Sequence, residues 1–243
     1  MGDDRLVGQT SHAYDAIAAQ YDTIQAGDEW MRRRLHQHYL SVFKPGQRVL
    51  DVGCGTGTDA LFLTRHGIRV LGIDGSPGMI ACLRAQSTLE ARVLAIEDMA
   101  TLDETFDGAY SSFASLSTVD LDRFARDVAR LLAPNAPLLV HMLNRFSLWE
   151  RRVSPPLRTF VIGGRAVEHR MYFACEAYRS FEPSFEVRRV YSLGSLRPPH
   201  TVRRVPRPVV GALEWLDVRS GGLPGLRDAG RFFVLDLRRR RPT

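Results

Sequence analysis

The chain has 243 residues, of which 44% are hydrophobic and 25% charged, and this composition excludes disordered, collagen-like and coiled-coil proteins. No apolar run approaches the roughly 18 residues that cross a membrane, and the first residues lack the basic-then-apolar order of a signal peptide. The sequence therefore predicts one large α/β domain with small additions, located in the cytoplasm and without a membrane partner. Its three scattered cysteines do not have the spacing of a metal site, and we expect no metal.

The net charge of +6 is divided unevenly along the chain. Up to Leu143 there are 13 basic and 18 acidic residues, a net charge of −5, whereas the remainder has 20 arginines and 9 acidic residues, a net charge of +11. Fixed positive charge attracts phosphates, so this second part is compatible with a nucleic-acid partner. A solvated arginine-rich surface is favoured, because the arginines alternate with apolar residues.

The first half alternates between helical and strand patterns. Apolar and aromatic residues at helical spacing predict helices over residues 11–40. Short apolar runs then predict strands at residues 48–52, 69–73, 91–96, 106–111 and 137–143, with helices at residues 59–66, 78–85 and 120–132. Ser76 and Pro77 supply an N-cap and a first-turn proline for the second of these helices. Strands separated by helices predict a doubly wound, mostly parallel sheet whose ligand site lies beyond the carboxyl ends of the strands.

This alternation stops beyond Asn144. A hairpin is predicted around Gly163 and Gly164, followed by a short helix and two late strands with a proline-rich, partly helical segment between them. The predicted elements are the hairpin strands at residues 159–162 and 166–173, helices at residues 175–181 and 209–216, and strands at residues 185–193 and 231–237.

A glycine-rich turn follows the first predicted strand. Gly53, Gly55 and Gly57 form a G-x-G-x-G pattern two residues after Asp51. Glycines at a strand-to-helix turn allow the backbone to approach a ligand closely. A dinucleotide loop would have Gly or Ala at the sixth position, where this chain has Thr58, so the pattern argues against NAD and for another nucleoside ligand.

Two acidic residues end the next strands. Asp74 follows Asp51 by 23 residues, close to the spacing at which a carboxylate accepts hydrogen bonds from both hydroxyls of a ribose. Asp98 ends the third strand and is suited to accept from an adenine amino group. Because the carboxyl ends of parallel strands meet at one edge, these residues predict a nucleoside-binding crevice.

These residues give the chain a family resemblance over Tyr14 to about Glu150. The sequence resembles the class I S-adenosylmethionine-dependent methyltransferases of the small-molecule type. The similar segments are the leader Ala13 to Asp22, the first motif Asp51 to Gly57, the ribose motif Asp74 to Met79, the adenine motif Glu97 to Met99 and the fourth-strand segment Ser112 to Phe113. Two positions depart from the family, since Gly75 replaces a larger side chain and Glu97 a glycine.

The resemblance implies a Rossmann-like methyltransferase fold of seven strands with the last antiparallel, and a small lid insertion after the fifth strand. It implies S-adenosylmethionine as cofactor and S-adenosylhomocysteine as product. The glycine loop would face the amino-acid portion, Asp74 the ribose, Met79 and Met99 the adenine faces, Asp98 its amino edge, and Ser112 the sulfonium end. The implied cofactor-binding residues are Tyr14, Tyr21, Asp51, Gly53, Cys54, Gly55, Gly57, Asp74, Gly75, Ser76, Met79, Asp98, Met99, Ser112 and Phe113.

The resemblance also divides the chain into four parts. Residues 1–40 are a helical cofactor cap, residues 41–145 the cofactor-binding core, and residues 146–184 a substrate lid. Residues 185–243 supply the last two strands with an insertion between them. The predicted oligomeric state stays open.

Methyl transfer needs a general base only where the acceptor must lose a proton. The candidates are His141, His169 and Tyr172, although each also fits a packed core position. Asn144, Arg145 and Trp149 follow the fifth strand, where an acceptor would enter, and are the substrate-binding candidates. The sequence predicts transfer of a methyl group to a small-molecule acceptor through an O, N or C nucleophile. The alternatives are an RNA or tRNA methyltransferase and a catalytically silent regulatory protein that binds the same cofactor.

Overall fold

A computed structural model of the protein describes residues 4–199, 202 and 205–241, so parts of the predicted cap and proline-rich insertion lie outside it. The helices are α1 (Asp4–Asp15), α2 (Tyr21–Gln25), α3 (Glu29–Val42), α4 (Thr58–Arg65), α5 (Pro77–Gln86), α6 (Leu121–Leu131), α7 (Ala174–Phe181) and α8 (Arg207–Ser220). The strands are β1 (Arg48–Val52), β2 (Arg69–Asp74), β3 (Glu90–Val93), β4 (Gly108–Ser111), β5 (Pro137–Leu143), β6 (Phe146–Ser147), β7 (Arg152–Val153), β8 (Leu157–Ile162), β9 (Arg165–Arg170), β10 (Phe185–Leu193) and β11 (Phe232–Arg239).

Seven strands form the central sheet in the order β10-β11-β5-β4-β1-β2-β3. Strands β1 to β5 are parallel to one another, and β11 runs antiparallel between β5 and β10. The predicted fold class is therefore confirmed. Because β11 is reversed, its first residues lie at the same sheet edge as the last residues of β5 and β10, and this edge carries the cavities described below.

Local sequence explains where several elements begin and end. The Ser76 hydroxyl accepts a hydrogen bond from the Met79 amide at 3.1 Å, and Pro77 occupies the first turn of α5, as predicted. At the start of α6 the Asp120 carboxylate accepts from the Arg123 amide at 3.0 Å. These caps satisfy amides that have no partner inside their own helices.

The third strand ends earlier than its apolar run suggests. It is an edge strand that pairs with β2 alone, and its last pair joins Val93 to Asp74, the final residue of β2. Beyond that pair the chain has no strand to bond to, and a 3₁₀ turn begins at Ile96. The predicted strand at residues 91–96 is therefore corrected to Glu90–Val93. This earlier end changes the set of side chains that reach the ligand edge of the sheet.

Both faces of the sheet are covered by apolar side chains. Helix α3 places Trp30, Met31, Leu35 and Tyr39 against one face, all of them buried. Helices α6 and α7 cover the other face. Burial of this amount of apolar surface is the main term that favours the folded chain.

The predicted hairpin is present as β8 and β9 and packs on the leader. A Cβ added at Gly163 in its turn would lie 2.5 Å from the Ala13 carbonyl oxygen, so the turn presses directly on the leader backbone. Strand β9 also contacts the 3₁₀ turn Ser115–Thr118, which follows β4. The hairpin thus packs on the leader and on the turn after β4, and the lid role of residues 146–184 stays a prediction. Among the described helices, none is long and apolar enough to cross a membrane.

Candidate cofactor-binding cleft

A cleft opens at the carboxyl ends of β1, β2 and β4. Its empty volume of about 730 Å³, including the open mouth, falls within the range of small-molecule sites. The leader, the glycine loop, the turn after β2 and the turns after β3 and β4 enclose it. It is lined by Thr10, Ser11, Tyr14, Tyr21, Gly53, Gly55, Asp74, Gly75, Ser76, Met79, Ala95, Ile96, Glu97, Phe113, Ala114, Ser115, Thr118 and Val119.

The glycine loop has backbone angles that residues with a side chain rarely adopt. Gly53, Gly55 and Gly57 have φ angles of 74°, 53° and 83°, in the left-handed region that glycine tolerates best. A Cβ at Gly57 would lie 2.3 Å from Cδ1 of Leu83, so a larger residue would also collide with α5. The loop therefore turns sharply from β1 into α4 and leaves the cleft open.

Asp74 lines the cleft, and two backbone amides hold its carboxylate in place. Gly55 donates to Oδ2 at 2.8 Å and Ser76 donates to Oδ1 at 2.9 Å. Burial raises the pKa of Asp74, and the two amide bonds act against this rise. Each carboxylate oxygen keeps a further lone pair, so both can still accept a hydroxyl. The arrangement fits the vicinal hydroxyls of a ribose.

The leader is anchored over the cleft by two aspartates. Asp15 Oδ1 accepts from the Gly78 amide at 2.8 Å and from the Ser76 hydroxyl, at the N-terminus of α5. Asp22 Oδ1 accepts from the Thr56 hydroxyl at 2.6 Å, next to the N-terminus of α4. A carboxylate is favourable at a helix N-terminus because the helix dipole is positive there. Sequence reasoning missed both anchors. The sequence signal that could have revealed them is the Tyr-Asp pair, which occurs twice with a spacing of seven residues.

The tyrosines of the same two pairs face the cleft. The rings of Tyr14 and Tyr21 meet edge to face with centroids 6.2 Å apart. Burial raises the pKa of Tyr14 well above its usual value and that of Tyr21 to about 12, so both hydroxyls stay neutral. In each Tyr-Asp pair, the neutral tyrosine thus forms part of the cleft wall and the aspartate anchors the leader.

A buried charged cluster fixes the turn after β4. Asp59 accepts from Arg32 at 2.6 Å, from His36 at 2.8 Å and from the Ser112 hydroxyl at 2.6 Å. Burial opposes ionisation of Asp59, but the Arg32 charge and these hydrogen bonds outweigh it and lower its pKa to about 2. The Arg32 guanidinium also lies 4.3 Å from the ring centroid of Phe113, which lines the cleft.

Nine of the residues implied by the family resemblance line the cleft. They are Tyr14, Tyr21, Gly53, Gly55, Asp74, Gly75, Ser76, Met79 and Phe113. The other six, Asp51, Cys54, Gly57, Asp98, Met99 and Ser112, do not line it. Whether any of the fifteen binds the cofactor remains a prediction.

The positions of three of those six have clear physical causes. Asp51 lies beneath the loop, where its Oδ2 accepts from the Tyr110 hydroxyl at 2.8 Å and burial raises its pKa. Met99 is fully buried in the core instead of facing the cleft. Ser112 is held by Asp59, and its neighbour Phe113 faces the cleft.

The early end of β3 changes the acidic residue that faces the cleft. Glu97 lines it, whereas Asp98 is exposed and is not among the lining residues. Burial raises the pKa of Glu97. Sequence reasoning placed Glu97 in the adenine motif but not among the binding residues, and it missed Ser115 and Thr118, because the turns after β3 and β4 carry no helix or strand periodicity.

None of the three predicted general-base candidates lines the cleft, and His141 and His169 are buried whereas Tyr172 is half-buried. The His141 Nδ1 accepts from the Phe113 amide at 3.1 Å, and burial lowers the pKa of His141 to about 3. Burial also lowers the pKa of His169 to about 4 and raises that of Tyr172 to about 12. All three are neutral near pH 7, and their catalytic roles stay predictions.

The substrate-binding candidates have separate surroundings. Arg145 pairs with Glu176 at 3.2 Å, and its guanidinium lies 4.8 Å from the Phe173 ring centroid. Asn144 is buried and donates to two backbone carbonyls of the loop before β11. Trp149 lines a second cavity, beside the cleft.

His169 should make folding sensitive to mild acid. Neither of its ring nitrogens has a hydrogen-bond partner within the described part of the chain. With a folded pKa of about 4 against 6.5, the unfolded chain takes up the proton first, so stability present above pH 6.5 is lost as the pH falls toward 4. Between pH 7 and pH 5 we expect the wild type to lose about 2 kcal/mol more than His169→Leu in urea unfolding.

His12→Leu is the control for that comparison, because the His12 side chain is 69% exposed. The His12→Leu protein should lose as much free energy of unfolding between pH 7 and pH 5 as the wild type does. If His169→Leu also keeps it, the buried imidazole does not carry the acid sensitivity.

Known proteins resemble this chain in sequence. A family model described as a methyltransferase domain matches residues 49–135. An O-methyltransferase of Aspergillus nomiae is 33% identical over 129 residues, which cover 49% of this chain and 56% of that protein. A demethylmenaquinone methyltransferase of Tropheryma whipplei is 33% identical over 160 residues, which cover 65% of this chain and 64% of that protein. The chain thus spans about half to two thirds of the length of these relatives.

Solved structures share the fold. A methyltransferase of Thermotoga maritima, described as a possible histamine N-methyltransferase, has a TM-score of 0.65 at 18% identity, covering 93% of this chain and 98% of that one. A methyltransferase from Listeria monocytogenes has a TM-score of 0.60 at 16% identity, covering 81% of this chain and 91% of that one. Fold and cleft define a doubly wound α/β protein with a nucleoside-sized site at its carboxyl edge. With the family-model match over residues 49–135, the chain is similar to S-adenosylmethionine-dependent methyltransferases in sequence and in fold.

Proposed function

We propose that this protein is an enzyme that transfers a methyl group from S-adenosylmethionine to a small-molecule acceptor. The observation that carries the proposal is the Asp74 carboxylate, which two backbone amides orient inside a cleft walled by Tyr14 and Tyr21. This arrangement fits a ribose between a glycine loop and aromatic rings. Met79 and Ile96 add apolar surface suited to the base.

When bound, the cofactor supplies a methyl group on a sulfonium, already activated for in-line displacement by a nucleophile. The task left to the protein is to align the acceptor and to exclude water, and alignment alone contributes about 7 to 11 kcal/mol in well-oriented reactions. The leader serves both purposes, because Asp15 and Asp22 hold it across the cleft. His141 and His169 have pKa values of about 3 and 4, so both are weak proton acceptors near pH 7. The proposal therefore fits an acceptor that ionises without their help.

The charged side chains of the second half favour a small acceptor over RNA. Many of its arginines are paired with acidic residues, which weakens the positive field that an RNA backbone requires. The pairs are Arg145 with Glu176, Arg158 with Glu150, Arg197 with Glu214, Arg227 with Asp228, Arg231 with Asp28, Arg238 with Asp236, and Arg240 with Glu186. The relatives named as O-methyltransferase and demethylmenaquinone methyltransferase support the same choice.

Calorimetry with S-adenosylhomocysteine tests the proposal. We expect one site with micromolar affinity on the full chain, and no binding of NAD at the same concentration. Absence of S-adenosylhomocysteine binding at millimolar concentration would contradict it. Micromolar binding of tRNA that weakens steeply between 50 and 200 mM salt would favour the RNA alternative. Normal cofactor binding without methyl transfer to any acceptor would favour the silent regulatory protein.

A further inference from the structure

The turn that follows β4 has an unusual backbone. Phe113 and Ala114 have φ angles of 51° and 64°, two successive residues in the left-handed region that side chains disfavour. Both line the cofactor cleft, and in the described part of the chain no other non-glycine residue with such an angle does so. A strained backbone persists only where its surroundings hold it, and such strain concentrates at functional sites. The contacts that hold this turn therefore bear on the site.

His141, in strand β5, accepts a hydrogen bond from each amide of the turn. Its ring Nδ1 accepts from the Phe113 amide at 3.1 Å, and its carbonyl oxygen accepts from the Ala114 amide at 3.0 Å. Any residue could supply the carbonyl. The bond to Phe113 requires a side chain with an acceptor at this position, so it depends on the identity of residue 141.

The protonation state of the ring argues against His141 as a general base. A nitrogen that accepts from an amide carries no proton, so the single proton of the neutral ring is on Nε2. The one free lone pair of the ring is therefore already used by the Phe113 amide. Burial lowers the pKa of His141 to about 3, which keeps this arrangement at neutral pH.

Stability alone does not favour histidine at this position. His141 is 1% exposed, and its Nε2 has no hydrogen-bond partner among the described residues. A buried N–H without an acceptor costs free energy. The bond from the turn to Nδ1 is thus the polar interaction that distinguishes histidine from an apolar residue here.

The turn also packs on the glycine loop. The Ser115 hydroxyl donates to the Gly53 carbonyl at 3.3 Å, and a Cβ added at Gly53 would lie 2.5 Å from Cβ of Ser115. The two segments are in close contact, and both line the cleft. A shift of Phe113 and Ala114 would displace Ser115 and so alter two walls of the cleft at once.

Two further contacts act on side chains of the turn. Asp59 accepts from the Ser112 hydroxyl at 2.6 Å, and the Arg32 guanidinium lies 4.3 Å from the centroid of the Phe113 ring. The same ring meets the His141 ring edge to face, with centroids 5.3 Å apart. Of these contacts, only the hydrogen bonds to His141 reach the backbone of the left-handed residues.

We propose that His141 is a positioning residue of the cofactor cleft, which holds the left-handed turn through the Phe113 amide and so keeps the Phe113 ring at the cofactor. The inference rests on the proposed methyl transfer and gives a predicted general-base candidate another role in it. His141 does not line the cleft, so in this role it touches neither cofactor nor acceptor. It acts through Phe113 and Ala114.

Substitutions at residue 141 separate the hydrogen bond from the bulk of the ring. His141→Asn places a carbonyl oxygen at the position of Nδ1, and this variant should bind S-adenosylhomocysteine within about threefold of the wild type in calorimetry. His141→Leu has no acceptor and should bind about tenfold more weakly, because the Phe113 amide loses its partner and the turn relaxes. Glycine adopts left-handed angles without strain, so the double variant His141→Leu, Ala114→Gly should recover most of the loss.

His38→Leu is the matched control, because His38 is a second buried histidine, whose ring nitrogens contact Tyr191 at 2.9 Å and Asp236 at 3.0 Å. None of these three residues lines the cleft. His38→Leu should lower stability in urea unfolding and leave the affinity for S-adenosylhomocysteine unchanged. If His141→Leu also lowers stability alone, its role is merely structural and the proposal is wrong.

Hydrogen exchange at the Phe113 amide gives a second measurement, made by NMR on the full chain without ligand. Exchange should be about tenfold faster in His141→Leu than in the wild type and close to the wild-type rate in His141→Asn. Equal affinity of the Leu and Asn variants, failure of Ala114→Gly to recover binding, or unchanged exchange in His141→Leu would overturn the proposal. If the wild type itself does not bind S-adenosylhomocysteine, the proposed function fails, and hydrogen exchange still tests whether His141 holds the turn.

Discussion

Replacing Arg32 with methionine should lower the free energy of unfolding by about 3 to 5 kcal/mol, because it leaves the Asp59 carboxylate buried without its charge partner. Asp59 is 3% exposed, and Arg32 donates to it at 2.6 Å. His36 and Ser112 would remain as hydrogen-bond donors but supply no permanent charge. Urea unfolding at pH 7 measures the loss. S-adenosylhomocysteine affinity should fall as well, since Phe113 loses the guanidinium that stacks on its ring.

Two further variants identify the cause. Arg33→Met changes the neighbouring arginine, whose side chain is 58% exposed and lies 3.4 Å from Glu214, and it should cost less than about 1 kcal/mol. The double variant Arg32→Met, Asp59→Asn should be more stable than Arg32→Met alone, because it removes the unpaired charge. If Arg32→Met is as stable as Arg33→Met, the buried pair does not stabilise the contact between α3 and α4.

Asp74→Ala should weaken binding of S-adenosylhomocysteine by about 1 to 3 kcal/mol, or roughly 5- to 150-fold, in calorimetry. The change removes the proposed acceptor of the ribose hydroxyls. It also removes the carboxylate to which Gly55 and Ser76 donate, so the glycine loop loses an anchor. Asp74→Asn should lie between wild type and Asp74→Ala, since one accepting oxygen remains.

Asp103→Ala is the control for that series, because Asp103 is exposed and lies outside the cleft. It should bind S-adenosylhomocysteine as the wild type does. Unchanged affinity in a folded Asp74→Ala protein would remove Asp74 from the binding site.

Elements defined by local sequence were predicted closely. Strands β5 and β10 have the predicted bounds, because β5 is a mostly apolar run and both strands pair with β11 from end to end. Ser76 and Pro77 start α5 as predicted, because a cap needs only neighbouring residues. The end of β3 was wrong because it depends on where β2 stops, which the residues of β3 do not encode.

The site was only partly predictable, because some of its contacts also depend on residues that are distant along the chain. Asp74 and the glycine loop belong to one local motif, and the structure places both at the cleft. Asp15 and Asp22 accept hydrogen bonds from Gly78 and Thr56, which lie 63 and 34 residues away along the chain, and no periodicity links such distant partners. Arg145 is paired with Glu176, a contact 31 residues away that local sequence does not indicate, and its role toward a substrate stays a prediction.

A crystal structure of the full chain with S-adenosylhomocysteine tests the central claim most directly. The account predicts the adenosyl group between Tyr14 and Met79, with both ribose hydroxyls about 2.5 to 3.0 Å from the Asp74 carboxylate and the sulfur toward Phe113. A ligand bound at any other surface, or a ribose that does not contact Asp74, would contradict it.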